Sequence, residues 1–365
     1  MKRTTMILAL ALVIALLTGC AGTPVVYYSN CTCPTGAHPE NVPQDTTPLD
    51  TTPADTTPVA EGAVKTGVAI VASAAESKNA GDADGEAKYD VTVVAVTVDD
   101  NGIIQSCVID SIGTSVLFDV EGSIMSDLSA PVLTKNELGD AYNMKAWGGA
   151  VAEWYEQAAA LAAYAVGKDV RELKAGAVGE TGYAQDADLA TSATIYLGGY
   201  VAAIEVAVAE AQHLGAQAGD ELKLGITVSV GSSKSAEGEN AGTAQLDVDA
   251  VALTMKDGVI TSAQIDSLQA KVTFDSTGTI TGGTDGYFAT KNQLGEQYGM
   301  VAWGGAIAEW DAQAASFCAY ITGKTPAEVA GIAVNEGTKP TEADLTASVT
   351  IAIGGFQALI AKTCG

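Results

Sequence analysis

The chain has 365 residues, and 44 acidic against 18 basic side chains give it a formal net charge of −26. Such a surface repels a phosphate backbone, which excludes nucleic acid as a partner. His38 and His213 are its two histidines, one in an N-terminal tether and one between two repeated halves. A His-based triad or a His-rich metal site therefore fits inside neither half.

Residues 1–20 read as a targeting segment. Lys2 and Arg3 precede an apolar run from Met6 to Leu17 that is too short to span a bilayer comfortably. Leu17-Thr18-Gly19-Cys20 then has the pattern of a bacterial lipobox, with small residues before a cysteine whose thiol takes a diacylglycerol. Cys20 is thus expected to be lipidated and to begin the mature chain, anchored to the outer face of the bacterial membrane. Two or more acyl chains make such anchoring stable. Residues 21–64 carry Asp45-Thr46-Thr47-Pro48 and two further Asp-Thr-Thr-Pro units. This is a semi-rigid, extended stalk of about a hundred ångströms at ~3 Å per residue. Its composition also suits O-glycosylation. Cys31 and Cys33 lie in it, either exposed or paired.

The remaining chain suits two domains, and its second half repeats its first. Trp147 recurs as Trp303, Trp154 as Trp310, Lys168 as Lys324 and Thr194 as Thr350, each 156 positions on (303 − 147 = 156). From Thr134 to Tyr200 no gap is needed and about half the positions are identical. The domains are placed at 65–219 and 220–365. Each opens with strands: Thr66 to Ala72, then Asp90 to Val98 turning at Asn101-Gly102 into Ile103 to Ile109, then a third strand at Ser115 to Phe118. Repeat 2 matches these with Leu224 to Val230, Val248 to Met255, Val259 to Ile265 and Ala270 to Phe274. Helical spacing follows. Ala150, Trp154, Ala158, Leu161 and Ala165 form an apolar stripe over 149–166, ended by Gly167. A short helix at 170–175 and a last one at 199–212 complete the repeat. Strands first and helices second predict an α+β fold: two tandem copies of an antiparallel sheet with helices packed on one face.

Cys318 and Cys364 stand where repeat 1 has Ala162 and Val208. Their joint appearance favours a disulfide between two helices of repeat 2 over two separate buried thiols. Cys107 reads as a small buried strand residue. Asp82, Asp84 and Glu86 around Gly85 have a hint of calcium spacing, but read better as a solvated loop.

One segment carries candidate chemistry: Asp188-Leu189-Ala190-Thr191-Ser192-Ala193-Thr194 and its counterpart Asp344-Leu345-Thr346-Ala347-Ser348-Val349-Thr350. It resembles the attachment motif of the FMN-binding domain family of bacterial electron-transfer lipoproteins and ion-pumping redox complexes. That motif is Asp, two variable residues, Ser/Thr, Gly, Ala and Thr/Ser, just before a helix. The turns Asn101-Gly102-Ile103-Ile104 and Asp257-Gly258-Val259-Ile260 are also similar to the family. The motif glycine is Ser192 in one repeat and Ser348 in the other, and repeat 2 also has Ala347 and Val349, so Thr194 matches better than Thr350.

The resemblance implies FMN joined through its phosphate to the last threonine, near a helix N-terminus that favours an anion. It implies cofactor contacts at Asp188, Thr191, Ser192, Thr194, Asp344, Ser348 and Thr350. The ring is expected in a cleft beside Thr194, against aromatics such as Trp147, Trp154, Tyr142 or Tyr164 and their repeat 2 counterparts. The plain alternative puts Trp147 and Trp154, seven apart, on one core-facing helix face. Two functions follow. One is an electron-carrying flavolipoprotein with a redox partner; the other is a non-enzymatic surface lipoprotein that binds an extracellular ligand or partner. Neither makes the chain a catalyst in its own right.

Overall fold

A computed structural model of the chain describes residues 62–365; the targeting segment, Cys20, and residues 21–61 of the stalk with Cys31, Cys33 and His38 lie outside the described residues. Val64, expected to end the stalk, is buried in repeat 1 with its N–H bonded to the Ala216 carbonyl (3.1 Å), which corrects that boundary. Repeat 1 opens with strands β1 (Lys65–Ser73), β2 (Gly85–Val98) and β3 (Ile104–Phe118), an antiparallel sheet in that order. Repeat 2 forms a separate antiparallel sheet from β4 (Glu221–Ser229), β5 (Gly242–Lys256), β6 (Val259–Phe274) and the short β7 (Ile280–Gly282). The stretches read as third strands, 115–118 and 270–274, are the far ends of β3 and β6. Pairing with β2 continues without a break from Cys107 to Phe118, and pairing of β6 with β5 does the same from Ser262 to Phe274.

Six helices follow in each repeat. Repeat 1 has α1 (Lys135–Leu138), α2 (Met144–Gly148), α3 (Trp154–Ala165), α4 (Val170–Ala177), α5 (Ala187–Ser192) and α6 (Gly198–Ala209). Repeat 2 has α7 (Lys291–Leu294), α8 (Met300–Gly304), α9 (Trp310–Ile321), α10 (Pro326–Ala330), α11 (Ala343–Thr346) and α12 (Gly354–Cys364). In each repeat the helices cover one sheet face, as expected of this α+β fold. Val94, Val96 and Ile104 meet Trp154, Leu161 and Ile204, while Val251, Leu253 and Ile265 meet Phe317, Ile321 and Leu359. Gly67 on β1 and Gly225 on β4 sit directly beneath α6 and α12, where an added methyl group would collide with the Ala207 carbonyl or the Thr363 side chain. Only glycine lets those helices come so close.

The other face of each sheet packs against the sheet of the other repeat. Val68, Ile70, Val91, Val93, Ala95 and Ile112 share one core with Leu246, Val248, Ala250, Leu268 and Val272. Strand alternation explains how β2 serves both sides: Val93 and Ala95 point to this central core, Val94 and Val96 to the helices. The layers thus run helix, sheet, sheet, helix. Phe118 and Phe274 occupy equivalent positions (274 − 118 = 156) and stack on each other with centroids 4.1 Å apart and planes 2° apart. The Tyr89 hydroxyl crosses the interface, donating to the Ala244 carbonyl (2.7 Å) and accepting from the Val272 N–H (3.2 Å).

Two buried carboxylates pin the first helices to the sheets. Asp110 and Asp266 are equivalent, and each accepts the N–H of its neighbouring serine and that of Asn136 (3.0 Å) or Asn292 (3.1 Å). Desolvation raises both acids, Asp266 to about 6 despite the N–H bonds from Asn292 and Ser267.

Residues 62–219 alone would expose the central core face to water. That fragment is expected to be insoluble or to self-associate, and co-expression with 220–365 should restore a soluble 1:1 complex by size-exclusion chromatography. A monomeric fragment that unfolds cooperatively would mean that the shared core is dispensable.

The raised carboxyls also set a pH dependence. An acid with a raised folded pKa holds a proton where the unfolded chain has lost it, so acidification favours folding until the unfolded carboxylates titrate near ~4. Melting temperature should therefore rise from pH 7.5 to pH 5. Asp266→Asn should remove part of that rise, up to about 1.4 kcal/mol over the single pH unit between about 6 and 5, as measured by thermal unfolding across the range.

Candidate functional site

The candidate site gathers at the N-terminal end of α3, and the same end of α9 repeats it. Glu153 precedes α3 and turns its carboxylate back on α2, accepting N–H groups from Met144 (2.8 Å) and Lys145 (3.1 Å). Glu309 does the same with Met300 (2.8 Å) and Val301 (3.0 Å). One turn along, Gln157 spends its side-chain oxygen on the loop between α5 and α6. It accepts the Thr194 N–H (2.8 Å), the Thr194 hydroxyl (3.2 Å) and the Ile195 N–H (3.2 Å). Gln313 holds Thr350 and Ile351 at 2.8, 3.1 and 3.2 Å. Glu153 and Gln157 are four residues apart, hence on one helix face. Together they bring α2 and the Thr194 loop to the same helix end.

The tryptophans divide. Gly149 ends α2 with φ near 62°, and Gly305 ends α8 with φ near 60°. The helix expected over 149–166 therefore starts only at Trp154, and Trp147 sits on a separate one-turn helix. Trp147 and Trp303 are 88% and 89% exposed, whereas Trp154 and Trp310 are buried. The reading that put 147 and 154 on one core-facing helix face is corrected, because left-handed glycine breaks the helix between them. Trp154 also gives no stacking surface: its indole N–H donates to the Tyr200 hydroxyl (3.0 Å), and the Lys135 ammonium lies 5.1 Å from its ring centre and 5.2 Å from that of Tyr142. Lys291 repeats this arrangement with Trp310 and Tyr298 at 4.9 and 5.3 Å.

The other expected residues spread out around this core. Thr194 is exposed and Thr350 half-buried. Asp188, Thr191 and Ser192 are exposed on α5, and the Thr191 hydroxyl donates to the Asp188 carbonyl (2.7 Å). Asp344 is exposed on α11, and the half-buried Ser348 hydroxyl donates to the Leu345 carbonyl (3.4 Å). Tyr164 stands near the far end of α3, under Lys168. The free N–H groups expected at Thr194 belong instead to Gln157. The helix start proper is Gly198-Gly199, where α6 has no side-chain cap; α12 likewise opens uncapped on Gly354-Gly355. A cavity of about 670 Å³ beside α9 and one of about 320 Å³ beside Cys364 both lie away from Thr194 and Thr350. Neither of these cavities is the cleft expected beside Thr194, and Thr194 and Trp147 are both exposed.

The Cys318–Cys364 bridge is not made. Among the described residues Cys107, Cys318 and Cys364 are free thiols. Cys318 is buried in α9 and lines the larger cavity, where desolvation pushes its thiol up to about 12. Cys364 ends α12, with its sulfur 3.6 Å from that of Met255. Cys107 lies half-buried on β3. Among the described residues no group of three or more His, Cys, Asp or Glu is placed to hold a metal ion.

Sequence reasoning missed Glu153, Gln157, Lys135 and their counterparts. The signal was present, since Glu309, Gln313 and Lys291 repeat them at the same offset. No family model matches the chain, and neither a curated protein nor a solved structure does.

Gln157→Leu removes the acceptor of two backbone N–H groups and one hydroxyl. It should cost about 2 kcal/mol of stability in a denaturant titration and speed amide exchange at Thr194 and Ile195. Unchanged exchange there would show that the clamp does not hold the loop.

Proposed function

We propose that this chain is a cell-surface lipoprotein, tethered through Cys20, whose duplicated FMN-binding-like repeats carry flavin for extracellular electron transfer. The observation that carries this reading is the duplicated threonine hydroxyl. Thr194 and Thr350 are each held by one glutamine oxygen at matching distances, and the same helix end presents an almost fully exposed tryptophan. Two repeats that differ at about half their positions keep this geometry alike.

The residues present fit a flavin nucleotide. An exposed hydroxyl can be reached by a modifying enzyme, and the uncapped Gly198-Gly199 helix start offers amide donors to a phosphate. Lys135 and Lys145 place positive charge at this helix end in an otherwise acidic protein. The bare indole of Trp147 suits a planar ring. Attachment joins the Thr194 oxygen to the FMN phosphorus. With a flavin dinucleotide as donor, the bond to its AMP half breaks, and the hydroxyl proton leaves to a base of a separate flavin transferase. Bound FMN supplies the redox chemistry; the chain's residues attach, orient and cover it. Repeat 1 suits this better, because Thr194 is the more exposed and Lys145 is Val301 in repeat 2.

A second reading, a non-enzymatic surface protein that binds an extracellular ligand, is favoured by the 670 Å³ cavity away from both threonines. Co-expression with a flavin transferase separates the two. The flavin reading expects a fluorescent protein band and a flavin absorbance spectrum, reduced strongly by Thr194→Ala and lost in the double variant with Thr350→Ala. A colourless wild-type protein would leave the ligand-binding reading.

A further inference from the structure

The cavity of about 670 Å³ lies between the segment leaving α6, residues 210–214, and the face of α9 and β6 in repeat 2. Its size is that of a small-molecule site. Most of its donors are already used. The Gln264 side chain accepts from the Val68 N–H (2.8 Å) and donates to the Glu210 carbonyl (3.1 Å). Gln293 donates to one Glu210 carboxylate oxygen (2.7 Å) and accepts from the Tyr287 hydroxyl (2.7 Å). The Asn292 amide donates to the Ile265 carbonyl (3.0 Å).

What remains is acceptor capacity. Asp311 has a buried carboxylate oxygen with no hydrogen-bond partner, and Glu210 has a second oxygen to offer. Asp266 lies behind Asn292, fully buried, with one unpartnered oxygen of its own. No lysine or arginine lines the cavity, and the one histidine on its wall, His213, is bonded through Nε2 to Asp100 (2.8 Å). An anion is repelled there, and a donor-rich cation is not.

Repeat 1 shows what such a position takes. Gln293 corresponds to Glu137 (293 − 156 = 137), and Glu137 receives the Lys362 ammonium of α12 at 2.6 Å. The same ammonium donates to the Ile226 carbonyl (2.7 Å). Lys362 corresponds to Val206 (362 − 156 = 206), so α6 brings no ammonium to repeat 2. It brings Glu210 instead, one turn further on. The two interfaces are alike in plan, but one is filled by the chain's own lysine and the other is open. Ala312, Ala315 and Ala319 lie along one face of α9 and make an apolar floor that suits methylene groups.

We infer that this cavity binds a small organic cation with at least one primary ammonium group on a short aliphatic chain, a diamine or polyamine. The ammonium lies beside the position that Lys362 takes in repeat 1, which Glu210 fills here against Gln293; it is bonded to Asp311 and to the second Glu210 oxygen, and the methylenes lie on the alanine floor. This site is separate from the threonine site and does not depend on flavin.

Calorimetric titration of the full-length protein with cadaverine and with spermidine tests it, with glutarate as the dicarboxylate control of similar length. Saturable binding of the amines and none of glutarate is expected. Asp311→Asn should weaken the amines about tenfold or more, the loss of a charge-assisted hydrogen bond. Ala315→Phe, which fills the floor and keeps every charge, should abolish binding. Glu239→Gln, on an exposed loop, should bind as wild type does. Circular dichroism checks that the variants are folded. Absence of amine binding by the wild type overturns the inference. Equal binding by Ala315→Phe and Asp311→Asn overturns it too, since the amines would then be held by surface charge alone.

Discussion

The burial of one sheet against the other is the constraint on which the rest of this structure depends. A single three-stranded sheet with helices on one side leaves its second face wet, and β2 is apolar on both faces. Val93 and Ala95 therefore need a partner as much as Val94 and Val96 do. Duplication supplies it: the second repeat presents the same alternation, and the two faces close on each other. Phe118 on Phe274 shows the result, equivalent residues of the two copies in direct contact. The Tyr89 hydroxyl is satisfied only because it reaches a carbonyl and an amide of the opposite sheet.

With both inner faces consumed, the edges of the helical layers are left for function. The outer helices are held by buried polar groups with few partners to spare: Asp110 and Asp266 at the first short helices, Gln157 and Gln313 at the threonine loops. Each is a side chain satisfying backbone amides, which makes the loops as well fixed as regular structure. Trp147 and Trp303 are held differently. Their one-turn helices end in left-handed glycine and present an indole to water, an exposure that costs apolar burial and is kept in both copies.

The copies then diverge where they meet. The last helix of repeat 2 brings Lys362 to Glu137, while the segment after the last helix of repeat 1 brings Glu210 to Gln293. Exchanging a lysine for a carboxylate across the same plan closes one interface with an ion pair and leaves an acidic cavity at the other. Cys318 sits on that cavity wall. Its appearance only in repeat 2 fits this local divergence, and both it and Cys364 are free thiols.

The sequence by itself determined the repeat, the antiparallel hairpins, the order of strands before helices and the stripe Trp154, Ala158, Leu161 and Ala165. These follow from periodicity and turn chemistry, which act over neighbouring residues. Only the tertiary structure decided that the repeats share one core, because an apolar strand reads the same whether a helix or another sheet covers it. Only it separated Trp147 from Trp154, since a Gly-Gly pair within a helical pattern is a break when its second residue turns left-handed. Only it showed that Gln157 clamps Thr194 and that Cys318 and Cys364 are free thiols. Contacts between residues tens of positions apart are set by packing, and no local pattern records them.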